Sequence, residues 1–233
     1  MSDAILVHEI LSGQTVARHA QPLSAYRLAV VPEVMFEGIE PAVLDAFESA
    51  VRTLQAAGAR IEVLKLPELL EIAGTAPLGN FSAAEAYARQ HQWLETQGEL
   101  YDPRVYARMQ RGGAMSAKDY LQLKDWRRSW MARMQERIQG LDAVLSPTVP
   151  IVAPPLAEVA PGPERDEAFF KVNALLLRNT SVVNLLDGCG LSLPCQKAGD
   201  LPVGLMVWHT GGHDEMVLNI SQRIEQVLKR EPH

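Results

Sequence analysis

Two cysteines and two histidines toward the carboxyl end are the side chains whose types would permit metal binding or thiol chemistry. Five residues lie between Cys189 and Cys195, and His209 and His213 follow later, which is not the ligand spacing of a zinc site. A Cys195 nucleophile with His213 as its base would need hydrogen-bond contact and a lowered thiol pKa. Because Cys195 follows Pro194 at the end of a predicted strand, we expect a buried structural thiol and no metal site.

The sequence patterns of the common hydrolases, metalloproteases and nucleotide-binding enzymes are missing. The chain contains no G-x-S-x-G, no H-E-x-x-H, no G-x-x-x-x-G-K-[ST], and no G-x-G-x-x-G after a strand. The carboxylates of Glu40, Asp45 and Glu48 lie on one predicted helix and are typical of a solvated face. No catalytic group and no cofactor are therefore predicted from motifs alone.

Composition places the chain among ordinary globular proteins. Its 233 residues are 47% hydrophobic and 21% charged, and the net charge is −6. This balance, without any run of five basic residues, disfavours nonspecific binding to nucleic acid or to an anionic membrane. The start of the chain does not resemble a secretory signal, no stretch of about 18 apolar residues exists, and two cysteines do not indicate a disulfide framework. We therefore expect a cytoplasmic protein.

A strand–helix–strand unit is predicted in the first third of the chain. An apolar run at 27–31 predicts a buried strand, and alternation over 60–66 predicts another. Between them, Pro41 begins a helix and Gly58 ends it. One apolar stripe on this helix is formed by Leu44, Phe47, Val51 and Leu54. Such a unit implies parallel strand pairing.

Further helices are predicted by apolar periodicity and by capping residues. One opens the chain and ends near Gly13, and another begins at Ser116, where Asp119 completes a capping-box analogue. Residues 68–100 are helical with a break at 74–79. Two more helices are expected at about 165–178 and about 213–229.

Short strands are predicted between these helices at 143–145, 191–195 and 203–208. The last two are expected to pair across a polar turn. Six prolines within 147–163 indicate a rigid internal loop rather than a linker. We predict a single α/β domain over 1–233, with a mixed, largely parallel sheet flanked by helices.

Three stretches, in this order, resemble the amidase-signature family. Residues 108–120 resemble the helix–turn–helix join of these enzymes. Residues 178–195 resemble the family run that leads into a Gly-hydrophobic-Ser-hydrophobic-Pro strand. Residues 201–206 resemble the Pro-hydrophobic-Gly-Leu-Gln pattern, although Met206 stands where Gln is frequent. The resemblance covers essentially the whole chain.

The resemblance implies hydrolysis of carboxamide C–N bonds, or transfer of the released ammonia. The family's serine nucleophile, bridging serine and lysine base precede the helix that 3–12 resembles. This chain has no Ser-Ser dipeptide and no Gly-Ser-rich loop, and its six lysines lie outside the expected context. We therefore expect an incomplete amidase-signature fold in which no residue is catalytic.

Several residues of this half are candidates for contact with a substrate. Arg178, Asn179 and Asn184 would line or brace the pocket, or would bond exposed backbone at an irregular turn. Arg108 would meet a substrate carboxylate through its bidentate fork, or is a helix-face charge.

Two aromatic residues are also candidates for the substrate pocket. Phe81 and Trp208 would line an apolar acyl pocket, or would belong to the core. Sequence alone leaves both alternatives open.

The sequence therefore predicts the C-terminal part of an amidase-type hydrolase, inactive as this chain alone. The expected partners are a small amide substrate in the full-length enzyme, and either the missing N-terminal half or a second copy bound through exposed strand edges. An alternative is a noncatalytic assembly or substrate-binding subunit that pairs with a separate catalytic chain. A further alternative is unrelated ligand binding on the same fold.

Overall fold

The computed structural model describes residues 1–19 and 21–229, and the chain forms two compact units. The first, the sheet unit, comprises Met1–Leu66 and Gln135–His233. The second, the helical unit, comprises Pro67–Met134. Each unit has buried residues of its own, so the single α/β domain expected over 1–233 stays a prediction.

The described residues form eight α-helices and five β-strands. The helices are α1 (Ser2–Ser12), α2 (Pro41–Ala56), α3 (Phe81–Gln97), α4 (Pro103–Gly113), α5 (Ala117–Arg137), α6 (Leu156–Val159), α7 (Asp166–Leu185) and α8 (Asp214–Leu228). The strands are β1 (Arg27–Val30), β2 (Arg60–Val63), β3 (Ala143–Pro147), β4 (Cys189–Pro194) and β5 (Gly204–His209). None of these helices is both long enough and apolar enough to cross a bilayer.

The five strands make one mixed sheet in the order β2-β1-β3-β5-β4. β1 pairs in parallel with β2 and with β3, whereas β5 pairs antiparallel with β3 and with β4. The predicted mixed α/β architecture is confirmed, with equal numbers of parallel and antiparallel pairings. The predicted hairpin of β4 and β5 is also present.

The predicted βαβ unit is formed by β1, α2 and β2. Pro41 is at the first turn of α2, where its missing N–H breaks no helical hydrogen bond. Gly58 adopts a φ of +93°, which lets the chain reverse toward β2. The buried residues of the helix are Val43, Phe47, Ala50 and Leu54. Phe47 and Leu54 match the predicted stripe, whereas Val43 and Ala50 each precede the predicted residue by one position.

The main core lies on one face of the sheet, beneath α2 and α8. Alternate residues of the strands, such as Leu28, Leu145 and Val207, point into it. Trp208 is on the opposite face of β5, is fully buried, and donates its indole N–H to Ser146 Oγ over 3.2 Å. The sheet is therefore covered on both faces around β3 and β5.

Helix α7 is longer than the sequence predicted. It runs from Asp166 to Leu185, whereas the predicted helix ended at about 178. The polar run that begins at Asn179 contains neither glycine nor proline, and Val182 and Val183 continue the buried side of the helix. The three candidate residues expected at an irregular turn therefore lie on a helix.

The helical unit is organised by close contacts between helices rather than by a sheet. Residues 67–78 form a 3₁₀ segment that continues through most of the break expected at 74–79, and α3 begins at Phe81. A Cβ atom at Gly112 of α4 would lie 2.0 Å from the carbonyl oxygen of Ala83 on α3, so glycine permits this helix crossing. The predicted cap of α5 is present, since Asp119 N–H donates to Ser116 Oγ over 3.1 Å.

Candidate functional site

The carboxyl ends of β1 and β3 form the candidate site of the sheet unit. The two strands are parallel neighbours, so the chain leaves both at the same edge of the sheet. Ligand sites in open α/β sheets favour such an edge. The loop after β1 (33–38), the last residue of β3 with the loop that follows it (147–152), and helix α7 meet there.

Asn179 connects the two loops from a completely buried position on α7. Its Nδ2 donates to the carbonyl oxygen of Met35 over 3.0 Å and to that of Pro147 over 2.9 Å. Its Oδ1 accepts from Arg178 Nε over 3.2 Å. Both amide protons and the amide oxygen therefore have partners, and the side chain fixes the loops relative to each other.

Arg178 extends this bracing along the loop after β1. Its Nη1 donates to the carbonyl oxygen of Glu37 over 2.5 Å, and its Nη2 donates to that of Met35 over 3.3 Å. Burial lowers the pKa of the guanidinium, and the Glu37 carboxylate opposes this shift. The fork thus binds backbone carbonyls of the protein itself.

The braced loop contains a strained residue. Val34 has a φ of +62°, a conformation that β-branched residues rarely adopt. Such strain costs about 1–3 kcal/mol and persists only where neighbouring contacts impose it. The hydrogen bonds of Arg178 and Asn179 to the residues that follow Val34 supply that restraint.

The loop after β3 is fastened from a second side. Glu40, which precedes α2, donates its backbone N–H to the carbonyl oxygen of Pro150 over 2.9 Å. Its carboxylate Oε2 accepts from the N–H of Val152 over 2.9 Å. The proline-rich segment 147–163 is thus held against the sheet unit at this end, and it contains the single helical turn α6.

A pair of hydroxyl groups lies at the same end of β3. Thr148 Oγ1 and Ser192 Oγ are 2.6 Å apart, and a Cβ atom at Gly204 would approach each within 2.5 Å. The lack of a side chain at Gly204 therefore leaves room for this pair. Sequence reasoning did not single out these residues, although Ser192 lies in a stretch, 178–195, that carries the family resemblance.

Neither hydroxyl is activated by a lysine. Within residues 1–19 and 21–229, no lysine amine hydrogen-bonds to a serine hydroxyl. A serine needs such a base to become a nucleophile. The pair can donate to or accept from a ligand, but the described residues do not form a serine–lysine couple.

The cysteines and histidines near the carboxyl end do not form a reactive centre. Burial raises the pKa of Cys195 to about 12, and burial with nearby Asp214 raises that of Cys189 to about 11, so both thiols stay protonated. The rings of His209 and His213 are in contact, with centroids 3.8 Å apart and planes tilted by 35°. In the part of the chain that the structure describes, no three His, Cys, Asp or Glu side chains are grouped to hold a metal.

The other sequence candidates lie apart from the braced loops or in the other unit. Asn184 is exposed near the end of α7, and Trp208 is inside the sheet unit. Phe81 and Arg108 belong to the helical unit. Phe81 packs edge-on against Tyr120 with ring centroids 5.6 Å apart, and Arg108 is exposed on α4.

Comparisons with curated proteins give relatives named as a deaminase, a hydrolase and a subunit of an amidotransferase. The chain is 28% identical to 2-amino-5-chloromuconic acid deaminase of Comamonas testosteroni, over 87% of this chain and 43% of that protein. It is 27% identical to indoleacetamide hydrolase of Allorhizobium ampelinum, over 98% and 53%. It is 26% identical to one subunit of the glutamyl-tRNA(Gln) amidotransferase of Salinispora tropica, over 97% and 53%. The chain thus spans about half the length of these relatives.

Solved structures share the fold. A crystal structure of an amidase superposes with a TM-score of 0.77 at 26% identity, over 97% of this chain and 50% of that one. Allophanate hydrolase of Kluyveromyces lactis superposes with a TM-score of 0.76 at 24% identity, over 91% and 33%. The model of the Amidase family matches residues 8–218. The chain therefore belongs to the Amidase family.

Proposed function

We propose that this chain is the C-terminal part of a hydrolase of carboxamide C–N bonds and supplies one wall of the substrate pocket. The observation that carries the proposal is the bracing of two strand-end loops by Arg178 and Asn179, next to the hydroxyls of Thr148 and Ser192. A substrate pocket needs walls whose geometry does not relax, and buried hydrogen bonds provide them.

The nucleophile and its base would come from polypeptide outside these 233 residues. Amide hydrolysis requires an activated hydroxyl and fixed donors for the tetrahedral oxyanion. The described residues contain no serine–lysine hydrogen bond, and the relatives are about twice as long. We therefore propose that this chain alone does not turn over amides.

The activity assay is direct. The purified chain is incubated with indoleacetamide, glutamine, a simple aliphatic amide and an aryl amide, and released ammonia is measured. The expected result is no ammonia above that of a heat-treated sample. Turnover that persists after further purification, and that disappears in Ser192→Ala, would contradict the proposed lack of a nucleophile.

An assembly role is the second candidate function. It is favoured by similarity to a protein named as one component of an amidotransferase, and by the exposed apolar side chains of α1. In that case this chain would hold substrate or stabilise a complex while a partner performs the reaction. We also propose a cytoplasmic location, since both cysteines are free thiols.

A further inference from the structure

A tight turn begins the loop that follows β1. The backbone N–H of Met35 donates to the carbonyl oxygen of Glu33 over 2.6 Å, and a bond between residues two apart closes a γ-turn. The φ of +62° at its central residue, Val34, belongs to the rare and strained form of this turn. We call residues 33–35 the Val34 turn. A valine that nothing restrained would return to a negative φ.

The chain is fixed directly before Val34. Strand β1 ends at Val30, whose carbonyl oxygen accepts from the N–H of Leu64 over 3.0 Å. Glu33 Oε2 then accepts from the N–H of Leu66 over 3.1 Å. The sheet and the segment that follows β2 therefore determine where Glu33 lies.

The chain is also fixed directly after Val34, by helix α7. Met35 is completely buried, and its carbonyl oxygen accepts from Arg178 Nη2 over 3.3 Å and from Asn179 Nδ2 over 3.0 Å. Arg178 Nη1 donates to the carbonyl oxygen of Glu37 over 2.5 Å. Val34 must therefore join two fixed positions, and its positive φ follows from that requirement.

Arg178 supplies most of the restraint after the turn. It makes two of the three hydrogen bonds from α7 to the loop 33–38. Its Nε also donates to Asn179 Oδ1 over 3.2 Å, which orients the amide that makes the third bond. Without Arg178, one neutral hydrogen bond would join the loop to α7, and such a bond contributes no more to stability than this strain costs. We therefore expect the turn to relax when Arg178 is lost.

The contacts of Arg178 are of a kind that can be broken. Its side chain is partly exposed, whereas Asn179 is completely buried. Among the residues that the structure describes, Arg178 forms no ion pair, and its three bonds end on neutral oxygen atoms. A carboxylate would bind the guanidinium more strongly. The fork can therefore leave the loop without the loss of an ion pair.

We propose that the Val34 turn is a two-state element that Arg178 holds in its strained state. In the second state Val34 has a negative φ, and the carbonyl groups of Met35 and Glu37 no longer bond to α7. The loop 33–38 then takes another path at the carboxyl end of β1, so a displacement of α7 at Arg178 changes this wall of the candidate site. None of these contacts requires amide hydrolysis, and the conformational change is therefore independent of the proposed function.

A double-mutant cycle measures the strain with and without Arg178. Val34→Gly is compared with Val34→Ala, because both remove the methyl groups of valine and only glycine adopts a positive φ without strain. With Arg178 present, the unfolding equilibrium constant of the sheet unit is expected to be about fivefold lower for Val34→Gly than for Val34→Ala. In the Arg178→Ala background it is expected to be about threefold higher, since a relaxed glycine only adds entropy to the unfolded chain. Urea unfolding followed at fluorine-labelled Trp208, which is buried in the sheet unit, gives both constants.

A second strained position provides the matched control. Asp187 also has a positive φ, of +48°, and it lies just after α7, where no hydrogen bond of Arg178 reaches it. The difference in stability between Asp187→Gly and Asp187→Ala is therefore expected to be the same with Arg178 and with Arg178→Ala. Arg178→Lys keeps the charge but loses the planar fork. It serves as a second background if Arg178→Ala does not fold, and there the advantage of glycine at position 34 is expected to shrink.

Amide hydrogen exchange detects the second state directly. The N–H groups of Met35, Glu37 and Ile39 are bonded within the loop. In Arg178→Ala they are expected to exchange about tenfold faster than in the wild type, because the relaxed loop breaks these bonds. The N–H of Leu145, on the central strand β3, is the control and is expected to change much less.

The two measurements decide the proposal together. A reversed preference for glycine at position 34, with an unchanged preference at position 187, supports the two-state turn. An equal advantage of Val34→Gly over Val34→Ala in both backgrounds overturns it, because the strain would then not depend on Arg178. Equal acceleration of exchange at Leu145 and in the loop also overturns it, since Arg178 would then stabilise the whole sheet unit and not one state of the turn.

Discussion

The sheet unit and the helical unit keep their structure in different ways. Among the described residues, six buried hydrophobic side chains belong to the helical unit: Leu69, Leu94, Met109, Leu123, Trp130 and Met134. All the others belong to the sheet unit. The sheet unit also buries Asn179, Ser146 and His209 and gives each a hydrogen-bond partner. These buried hydrogen bonds restrain the packing of the sheet unit.

The helical unit buries fewer hydrophobic side chains than the sheet unit. Trp126 and Trp130 stack with centroids 5.7 Å apart, and Trp130 donates its indole N–H to the carbonyl oxygen of Glu68. Its ion pair between Arg128 and Asp125 is exposed, and such pairs contribute little. Within the helical unit, the close crossing of α3 and α4 at Gly112 is therefore the contact whose disturbance we expect to cost most.

The largest expected effect is at that crossing. Gly112→Ala places a methyl group against the backbone of Ala83, so α3 and α4 must separate. We expect a loss of about 3 kcal/mol in the free energy of unfolding of the helical unit. Gly74→Ala is the control, because nothing lies within 4 Å of a Cβ atom there.

The four tryptophans allow the unfolding of each unit to be measured separately. Trp93, Trp126 and Trp130 report on the helical unit, and Trp208 reports on the sheet unit. With fluorine-labelled tryptophan and urea unfolding, Gly112→Ala is expected to shift the first three signals to lower urea. An equal shift of the Trp208 signal would contradict the expectation that Gly112→Ala destabilises the helical unit alone.

A smaller effect is expected at the braced loops. Asn179→Ala leaves the buried carbonyl oxygen of Pro147 without its amide donor, while Met35 keeps Arg178. The expected cost is about 2 kcal/mol in unfolding free energy, measured at the Trp208 signal. Lys171→Ala, on the exposed side of the same helix, should change little. A negligible loss in Asn179→Ala would argue against its bracing role.

The smallest expected effect is the pH dependence of the sheet unit. Burial, with the charge of nearby His213, lowers the pKa of His209, and its Nδ1 accepts the N–H of Thr210 over 2.9 Å. As the pH falls below about 6.5, His209 is therefore protonated in the unfolded chain before it is protonated in the folded chain. The free energy of unfolding should therefore fall as the pH is lowered from about 7 to about 5.5.

This pH effect is isolated by a variant. Asp142 partly offsets the lowering of the His209 pKa. The difference in stability between wild type and His209→Gln isolates the contribution of this histidine, so it is the quantity to measure. The variant is expected to show a flatter stability profile across this range. If wild type and His209→Gln lose the same stability as the pH falls, His209 is not the cause of the pH dependence.

Local sequence determined the elements that depend on neighbouring residues. The βαβ unit follows from apolar runs bounded by Pro41 and Gly58, and the start of α5 follows from the reciprocal contacts of Ser116 and Asp119. The order of the motifs determined the family. The end of α7 was predicted wrongly, because a polar Asn-Thr-Ser run resembles a turn when its long-range partners are unknown.

The tertiary structure alone decided what the candidate residues do. Asn179 bonds to Met35 and Pro147, which are 144 and 32 residues away along the chain. Contacts between residues so far apart leave no periodic pattern in the local sequence. The exposed edge of β4 and the hydroxyl pair of Thr148 and Ser192 likewise arise from strand order. Sequence thus determined which elements form and to which family they belong, whereas packing decided which surfaces and polar groups meet, because those contacts join residues far apart in the chain.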